Sequence, residues 1–358
     1  MRVVIAGGGT GGHLFPGIAM AHQFKDDDPS SQVLFIGTKK GIESRAVPKE
    51  GFPIAYIDIS GIKGKSPVKV MVALIKLPLS VVQSIQHLIR FRPDIVIGVG
   101  GYSSGPVCLS AFLLGIPVVI HEQNMSPGLT TSILGKIAKV ILVSFSGTAK
   151  SFPGRDVRYV GNPIRRDIRL KEGVNGREKN GSFTIFIFGG SQGAHTLNRG
   201  VVDGFPYLEE IKDRLHFIHQ TGEKDFVYIK SAYEKNGFSG EVSPFIDDMA
   251  DAYSRADLVI SRSGGSALAE IMAMGKPSIL IPFPYATENH QYYNALEVAN
   301  GGGAKIILDA DVSGEFMAYT IKEFMADRKG LLEMGLASKR LGKPLAAEKI
   351  VNICKGLV

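Results

Sequence analysis

Two imidazoles stand at matched places behind two glycine loops. Gly7-Gly8-Gly9-Thr10-Gly11-Gly12-His13 follows the apolar run 3–6, and Gly189-Gly190-Ser191-Gln192-Gly193-Ala194-His195 follows the run 184–188. Each reads as a buried strand, a turn that glycine permits, and a helix start, where backbone N–H groups can approach a phosphate closely. An imidazole so placed is a candidate general base at neutral pH. His13 is read in that role, with a helix-start histidine bonded to backbone as the alternative, and His195 is expected to pack or cap. A third glycine turn, Ser263-Gly264-Gly265-Ser266, opens a helical run that carries Glu270. A carboxylate there can accept from both hydroxyls of a ribose, whereas a lone helical Glu more often faces solvent. Arg165 follows the turn Gly161-Asn162-Pro163 and is suited to neutralising a diphosphate. Asn289, His290 and Gln291 offer amide and imidazole groups to sugar hydroxyls, or cap a helix. No metal set is expected, because Asp26–Asp28 and Asp309-Ala310-Asp311 each lack a third ligand nearby. A helix terminus with Arg165 can stabilise a departing diphosphate without a metal.

The elements that must position these groups alternate. Strands are expected at 2–6, 32–37, 54–57, 95–99, 118–121, 140–143 and 158–160, with helical spacing between most of them, as at 16–24 and 104–114. The scheme repeats at 183–188, 215–220, 241–242, 258–261, 278–282 and 305–308. Such alternation argues an α/β class with parallel sheets covered on both faces. Two glycine loops, one at the head of each half, imply two Rossmann-like domains facing a central cleft. The boundaries follow as 1–165 and 166–343, with a closing helix in 344–358; the charged, glycine-bearing stretch 166–182 serves as linker and lead-in. Ligands of doubly wound sheets bind beyond the carboxyl ends of strands. His121-Glu122-Gln123-Asn124, Gly161 to Arg165, Ser261 to Glu270 and Glu288 to Gln291 all fall there.

A chain of 358 residues, 44% hydrophobic and 21% charged, is ordinary for globular domains and long enough for two cores. Its net charge of +7 is uneven: residues 1–165 hold 18 basic against 9 acidic groups, the remainder 23 against 25. The basic half predicts an anionic partner. Only Cys108 and Cys354 occur, which fits a reducing compartment; no cleavable signal and no apolar run of the ~20 residues needed to span a membrane is apparent. The segment 61–92 is basic and strongly apolar, with no acidic residue between Ile59 and Pro93, and Pro78 is expected to divide it into two short helices. It reads as an interfacial contact with an anionic membrane, or as core helices whose lysines snorkel outward. Nucleic acid is a poor fit, since aromatic residues for base stacking are sparse there. The pattern Gly7-x-Gly9-x-x-Gly12 also admits an NADP enzyme, but no carboxylate ends the second strand at Gly37-Thr38-Lys39-Lys40.

Taken together, the segments at 7–17, 98–106, 121–124 (HEQN), 161–165 (GNPIR), 189–195, 245–249 (FIDDM), 261–270 (SRSGGSALAE) and 289–295 (NHQYYNA) resemble those of the bacterial MurG family, in that family's order and over nearly the whole chain. The resemblance implies a GT-B fold and an inverting transfer of N-acetylglucosamine from UDP-GlcNAc, a substrate rather than a cofactor. The acceptor it implies is the 4-hydroxyl of a muramoyl-pentapeptide on undecaprenyl diphosphate, so that lipid I becomes lipid II in peptidoglycan synthesis, on which cell shape and division depend. By motif, donor binding is assigned to Thr10, Gly11, Gly12, Asn124, Arg165, Ser191, Ile246, Gly265, Ser266, Ala267, Leu268, Ala269, Glu270 and Gln291, with uridine gripped through the Ile246 backbone and Glu270. The family commonly has a threonine in the third glycine segment where this chain has Gly265-Ser266-Ala267. A peripheral position on the cytoplasmic face of the plasma membrane is implied as well. Rival readings are a UDP-GlcNAc 2-epimerase, which shares fold and donor, and a non-catalytic nucleotide-sugar sensor.

Overall fold

The computed structural model describes residues 1–61, 67–171, 181–190 and 192–358, with the backbone alone at 67–75. The chain divides into two compact units, Met1–Arg166 with Pro344–Val358, and Asp167–Lys343. In the first, strands β1 (Arg2–Ala6), β2 (Gln32–Gly37), β3 (Ile54–Tyr56), β4 (Ile95–Gly98), β5 (Val118–Glu122), β6 (Val140–Val143) and β7 (Val157–Tyr159) form one sheet. Its order is β3-β2-β1-β4-β5-β6-β7, with every pair parallel. The second unit builds β8 (Phe183–Phe188), β9 (Leu215–Gln220), β10 (Gly240–Ser243), β11 (Leu258–Ser261), β12 (Ser278–Leu280) and β13 (Ala304–Ile306) into the parallel order β10-β9-β8-β11-β12-β13. Every strand expected from the sequence is present, its ends within two residues of the expected ones.

The central strands are apolar on both faces because helices cover both. Alternate residues of β1 serve opposite layers. Val3 and Ile5 pack with Leu14, Ile18 and Phe24 of the helix Gly11–Asp27 and with Ile350 and Val351 of the helix Ala346–Lys355. Val4 and Ala6 meet Leu88, Val107 and Ala111 on the other face. In the second unit Ile185 and Ile187 pack on Leu197, Val201 and Phe205, while Phe186 turns to the opposite face against Tyr253. Cys108 and Cys354 are free, buried thiols pushed up to about 12 by desolvation.

One expectation is corrected. A single helix, Pro67–Phe91, runs through Pro78 rather than breaking there. An interior proline costs about 3 kcal/mol by removing a hydrogen bond and crowding the preceding turn. Packing downstream offsets it. Ser80, Ser84 and Leu88 are fully buried, and Ser110 of the neighbouring helix Ser104–Leu113 donates to the Val81 carbonyl at 3.2 Å. Burying Leu88 alone contributes about 1.5–3 kcal/mol. Lys63, Lys65 and most of the expected linker, including Gly173, Asn175 and Gly176, lie outside the described residues.

Candidate functional site

Each sheet has one place where the chain leaves neighbouring strands in opposite directions: between β1 and β4 in the first unit, and between β8 and β11 in the second. The sequence-derived candidates follow the carboxyl ends of β1, β5 and β7 in the first unit, and of β8, β10, β11 and β12 in the second.

In the first unit the loop after β1 carries Thr10, Gly11 and Gly12 into the helix, and His13 lies in its first turn. His13 Nδ1 is 2.8 Å from Gln123 Oε1. Gln123, just past β5, donates its amide nitrogen to the Val99 carbonyl at 2.9 Å and reaches His121 Nδ1 at 3.1 Å. His121 Nε2 in turn stands 3.1 Å from the Gly161 carbonyl. Burial brings the His121 imidazole down to about 4, with the neighbouring His13 charge adding to the effect, so it is neutral at physiological pH. Gly100 closes this arrangement: a β-carbon there would lie 2.7 Å from His13 Nδ1, and its φ of +90° suits glycine. Asn124 is held by Glu122, whose Oε1 accepts from the Asn124 backbone at 3.0 Å and its side chain at 3.2 Å. Arg165 lies 6.0 Å over the Phe15 ring, one turn along from Gly11.

A carboxylate missing from the sequence reading underlies the first loop. Glu43, beyond the second strand, is buried; its Oε2 accepts from Gly9 N–H at 2.8 Å, and Oε1 accepts from the Thr38 N–H at 2.9 Å and hydroxyl at 2.8 Å. Gly8, Gly37 and Gly41 all crowd against it, leaving no room for a β-carbon. The acid sought for a ribose therefore exists, yet it is turned inward to the loop and committed to the protein's own donors. Its signal was the spacing Gly37 to Gly41 around Thr38, followed by a lone Glu.

In the second unit Ser191 lies outside the described residues. Gln220, at the end of β9, donates to the Gly190 carbonyl at 3.1 Å and accepts from the Ile246 N–H at 2.9 Å. The Ile246 backbone is thus tied to the second glycine loop through a buried amide that sequence reading overlooked. The helix Gly265–Ala273 begins directly after the Ser263-Gly264 turn and carries Ser266, Ala267, Leu268, Ala269 and Glu270. Glu270 is 7% exposed and accepts from the Tyr253 hydroxyl at 3.3 Å. Tyr253 is itself wedged edge-on against Phe186 and Phe188. Gln291 joins the same strand ends: its Oε1 accepts from Phe283 N–H at 3.0 Å, and its carbonyl accepts from Ser263 Oγ at 2.7 Å. Arg262 is structural, donating to the Ile281 and Pro282 carbonyls and pairing with Asp309. His290 Nδ1 donates to the Thr287 carbonyl at 2.8 Å, and Glu288 and Asn289 precede it with φ of 50° and 52°. His195 pairs with Asp225 at 3.0 Å, a local tie between helix starts. Among the described residues no cluster of His, Cys, Asp or Glu could hold a metal.

The two units match the N-terminal domain of glycosyltransferase family 28 over residues 3–143 and its C-terminal domain over 184–350. The crystal structure of MurG from Acinetobacter baumannii superposes with a TM-score of 0.80 at 31% identity, covering 99% of each chain. A UDP-GlcNAc 2-epimerase from Neisseria meningitidis, at a TM-score of 0.68 and 14% identity over 98% of this chain and 99% of its own, shares the fold alone. Paired parallel-sheet domains of this kind make up the GT-B fold, and the family 28 match makes the chain a glycosyltransferase. Similar full-length proteins include two enzymes named UDP-N-acetylglucosamine--N-acetylmuramyl-(pentapeptide) pyrophosphoryl-undecaprenol N-acetylglucosamine transferase. That of Myxococcus xanthus is 43% identical across 100% of this chain and 93% of its own length. That of Thermodesulfovibrio yellowstonii is 44% identical across 100% and 99%. The chain belongs to glycosyltransferase family 28 and, within it, to the MurG family.

Glu43→Ala strands the Gly9 and Thr38 donors in a buried site, at about 1–3 kcal/mol for each unsatisfied group. Urea denaturation should show a loss of roughly 3 kcal/mol; a midpoint equal to that of the wild type would refute the account of the loop.

Proposed function

We propose that this enzyme transfers N-acetylglucosamine from UDP-GlcNAc to the 4-hydroxyl of the muramoyl-pentapeptide on undecaprenyl diphosphate, forming lipid II. The observation that carries this reading is identity of 42–44% over the full chain with enzymes named for that reaction. In the step itself, His13 takes the proton of the acceptor hydroxyl. The oxygen bonds to the anomeric carbon from the face opposite UDP, and the carbon–oxygen bond to the β-phosphate breaks with its electron pair leaving on the diphosphate. The configuration inverts.

The second unit holds the donor. Glu270 accepts from the ribose hydroxyls, and the start of the helix Gly265–Ala273 presents N–H groups to phosphate oxygen. The Ile246 backbone and Gln291 belong to the same set, with Ser191 assigned by the family resemblance. Thr10, Gly11, Gly12, Asn124 and Arg165 are assigned to donor contacts on that ground too. No divalent metal is part of this reading; a helix terminus and Arg165 stabilise the leaving group.

A membrane contact completes the proposal. Among the described residues no helix is long and apolar enough to cross a bilayer. Yet Leu79, Val82 and Ile89 on one helix, Phe112 and Leu113 on the next, and Ile133 on a third are exposed. These helices pack side by side, and the exposed basic residues Arg90, Arg92 and Lys136 belong to the same region. An apolar face fringed by cations suits the anionic inner leaflet, where lipid I is presented. Lys76 is not free for that purpose, being paired with Asp58 at 2.9 Å.

Radiolabel transfer from UDP-GlcNAc to a lipid-linked muramoyl acceptor tests the reaction. His13→Ala should lower turnover by about 10²–10⁴-fold with UDP affinity preserved; near-normal turnover would remove His13 from the base role. Glu270→Ala should weaken UDP binding about tenfold or more by calorimetry, the cost of a charged hydrogen-bonding partner; an unchanged affinity would take Glu270 off the ribose. Phe112→Ser with Leu113→Ser should cut cosedimentation with phosphatidylglycerol vesicles about tenfold, and equal binding by variant and wild type would discard the apolar face as the contact.

A further inference from the structure

Between His13 and the body of the first unit runs a chain of hydrogen bonds whose direction is set by two backbone carbonyls. A carbonyl oxygen only accepts, so whatever faces it must donate. The Val99 carbonyl lies 2.9 Å from one end of the Gln123 amide. That end is therefore the NH₂ group, and the opposite end, 2.8 Å from His13 Nδ1, is the oxygen. The Gly161 carbonyl lies 3.1 Å from His121 Nε2, so this nitrogen carries the proton; Ser144 Oγ, 3.3 Å from it, accepts from the same N–H. His121 Nδ1 is then a bare acceptor, and the second hydrogen of the Gln123 NH₂ is shared between it at 3.1 Å and the His121 backbone carbonyl at 3.2 Å. Both hydrogens of that NH₂ are accounted for, so a flipped amide would set oxygen against the Val99 carbonyl and NH₂ against the His13 ring.

We infer that Gln123, fixed by His121 and the Val99 carbonyl, is a positioning residue that holds neutral His13 in the Nδ1–H tautomer and leaves Nε2 as the proton-accepting nitrogen. The inference rests on the reading of His13 as the general base and names what makes it one. Neutral imidazole in water favours the other tautomer, with hydrogen on Nε2. An amide oxygen offered at Nδ1 reverses that preference without introducing charge. Burial keeps His121 neutral, so it does not gain a second N–H that would push the Gln123 NH₂ away. Gly100 allows the ring to lie against the backbone while it makes this bond. Gln123 touches no substrate in this scheme; it acts through His13.

The relay is testable first without turnover. Nitrogen-15 NMR of the imidazoles, with the His13 signal assigned by its absence in His13→Ala, should show Nδ1 protonated and Nε2 bare in neutral wild-type protein; an Nε2–H signal overturns the inference. Gln123→Met removes the acceptor and should shift His13 toward Nε2–H. It should lower kcat about 100-fold while leaving KM for UDP-GlcNAc within about twofold, as expected when only transition-state assistance is lost. Gln123→Glu keeps an oxygen to accept from His13 Nδ1–H and should recover about tenfold of that loss. A folded Gln123→Met enzyme that retains wild-type kcat, or one that loses kcat while His13 stays Nδ1–H, overturns the inference. Should His13→Ala keep full turnover, the base role falls while the tautomer measurement still judges the relay by itself.

Discussion

Parallel pairing of neighbouring central strands, β1 with β4 and β8 with β11, constrains where chemistry can occur in each unit. A parallel strand buried on both faces has no edge to offer, so polar groups gather where its carboxyl end gives way to a turn. From those ends the chain departs to opposite sides of the sheet. Both histidines of the relay, the Asn124 turn, the Glu270 helix and the Gln291 turn all stand at such ends. Their positions follow from register more than from any contact made among themselves.

The two glycine loops share sequence and topology but differ in what lies beneath them. Under the first is Glu43, a buried carboxylate that consumes the Gly9 N–H and both donors of Thr38. Beside the second is the neutral amide of Gln220, which spans from Gly190 to Ile246. An internal anion makes the first loop a poorer receiver of a second negative charge at Gly9, whereas an amide imposes no such repulsion. This contrast agrees with the proposed division in which the nucleotide belongs to the second unit.

Much of this was legible in the residues. Strands such as 183–188 announce themselves as unbroken apolar runs between glycine turns, and the resemblance over HEQN and SRSGGSALAE pointed to the right family. What escaped was of two kinds. Pro78 looked like a helix breaker because local propensity says nothing of Leu88 and Ser84 packing a turn or more downstream. Glu43 and Gln220 went unnoticed because they tie down backbone groups 26 to 34 residues away, and Gln123, though within the polar stretch after the fifth strand, gave no sign of its bond to His13 110 residues away. A polar side chain whose work is to orient another group leaves almost no mark on a linear pattern.

The helix Ala346–Lys355 has a consequence for biogenesis. It supplies Ile350, Val351 and Cys354 to the core beneath β1, although the whole of the second unit intervenes in the chain. During translation the later-encoded unit, contiguous from Asp167 to Lys343, can close its core while the earlier one still lacks part of its own. The usual amino-to-carboxyl order of domain completion is thereby inverted. Until the ribosome delivers that closing segment, the nascent first unit exposes an apolar stripe along the helix Gly11–Asp27, a natural point of engagement for a holdase.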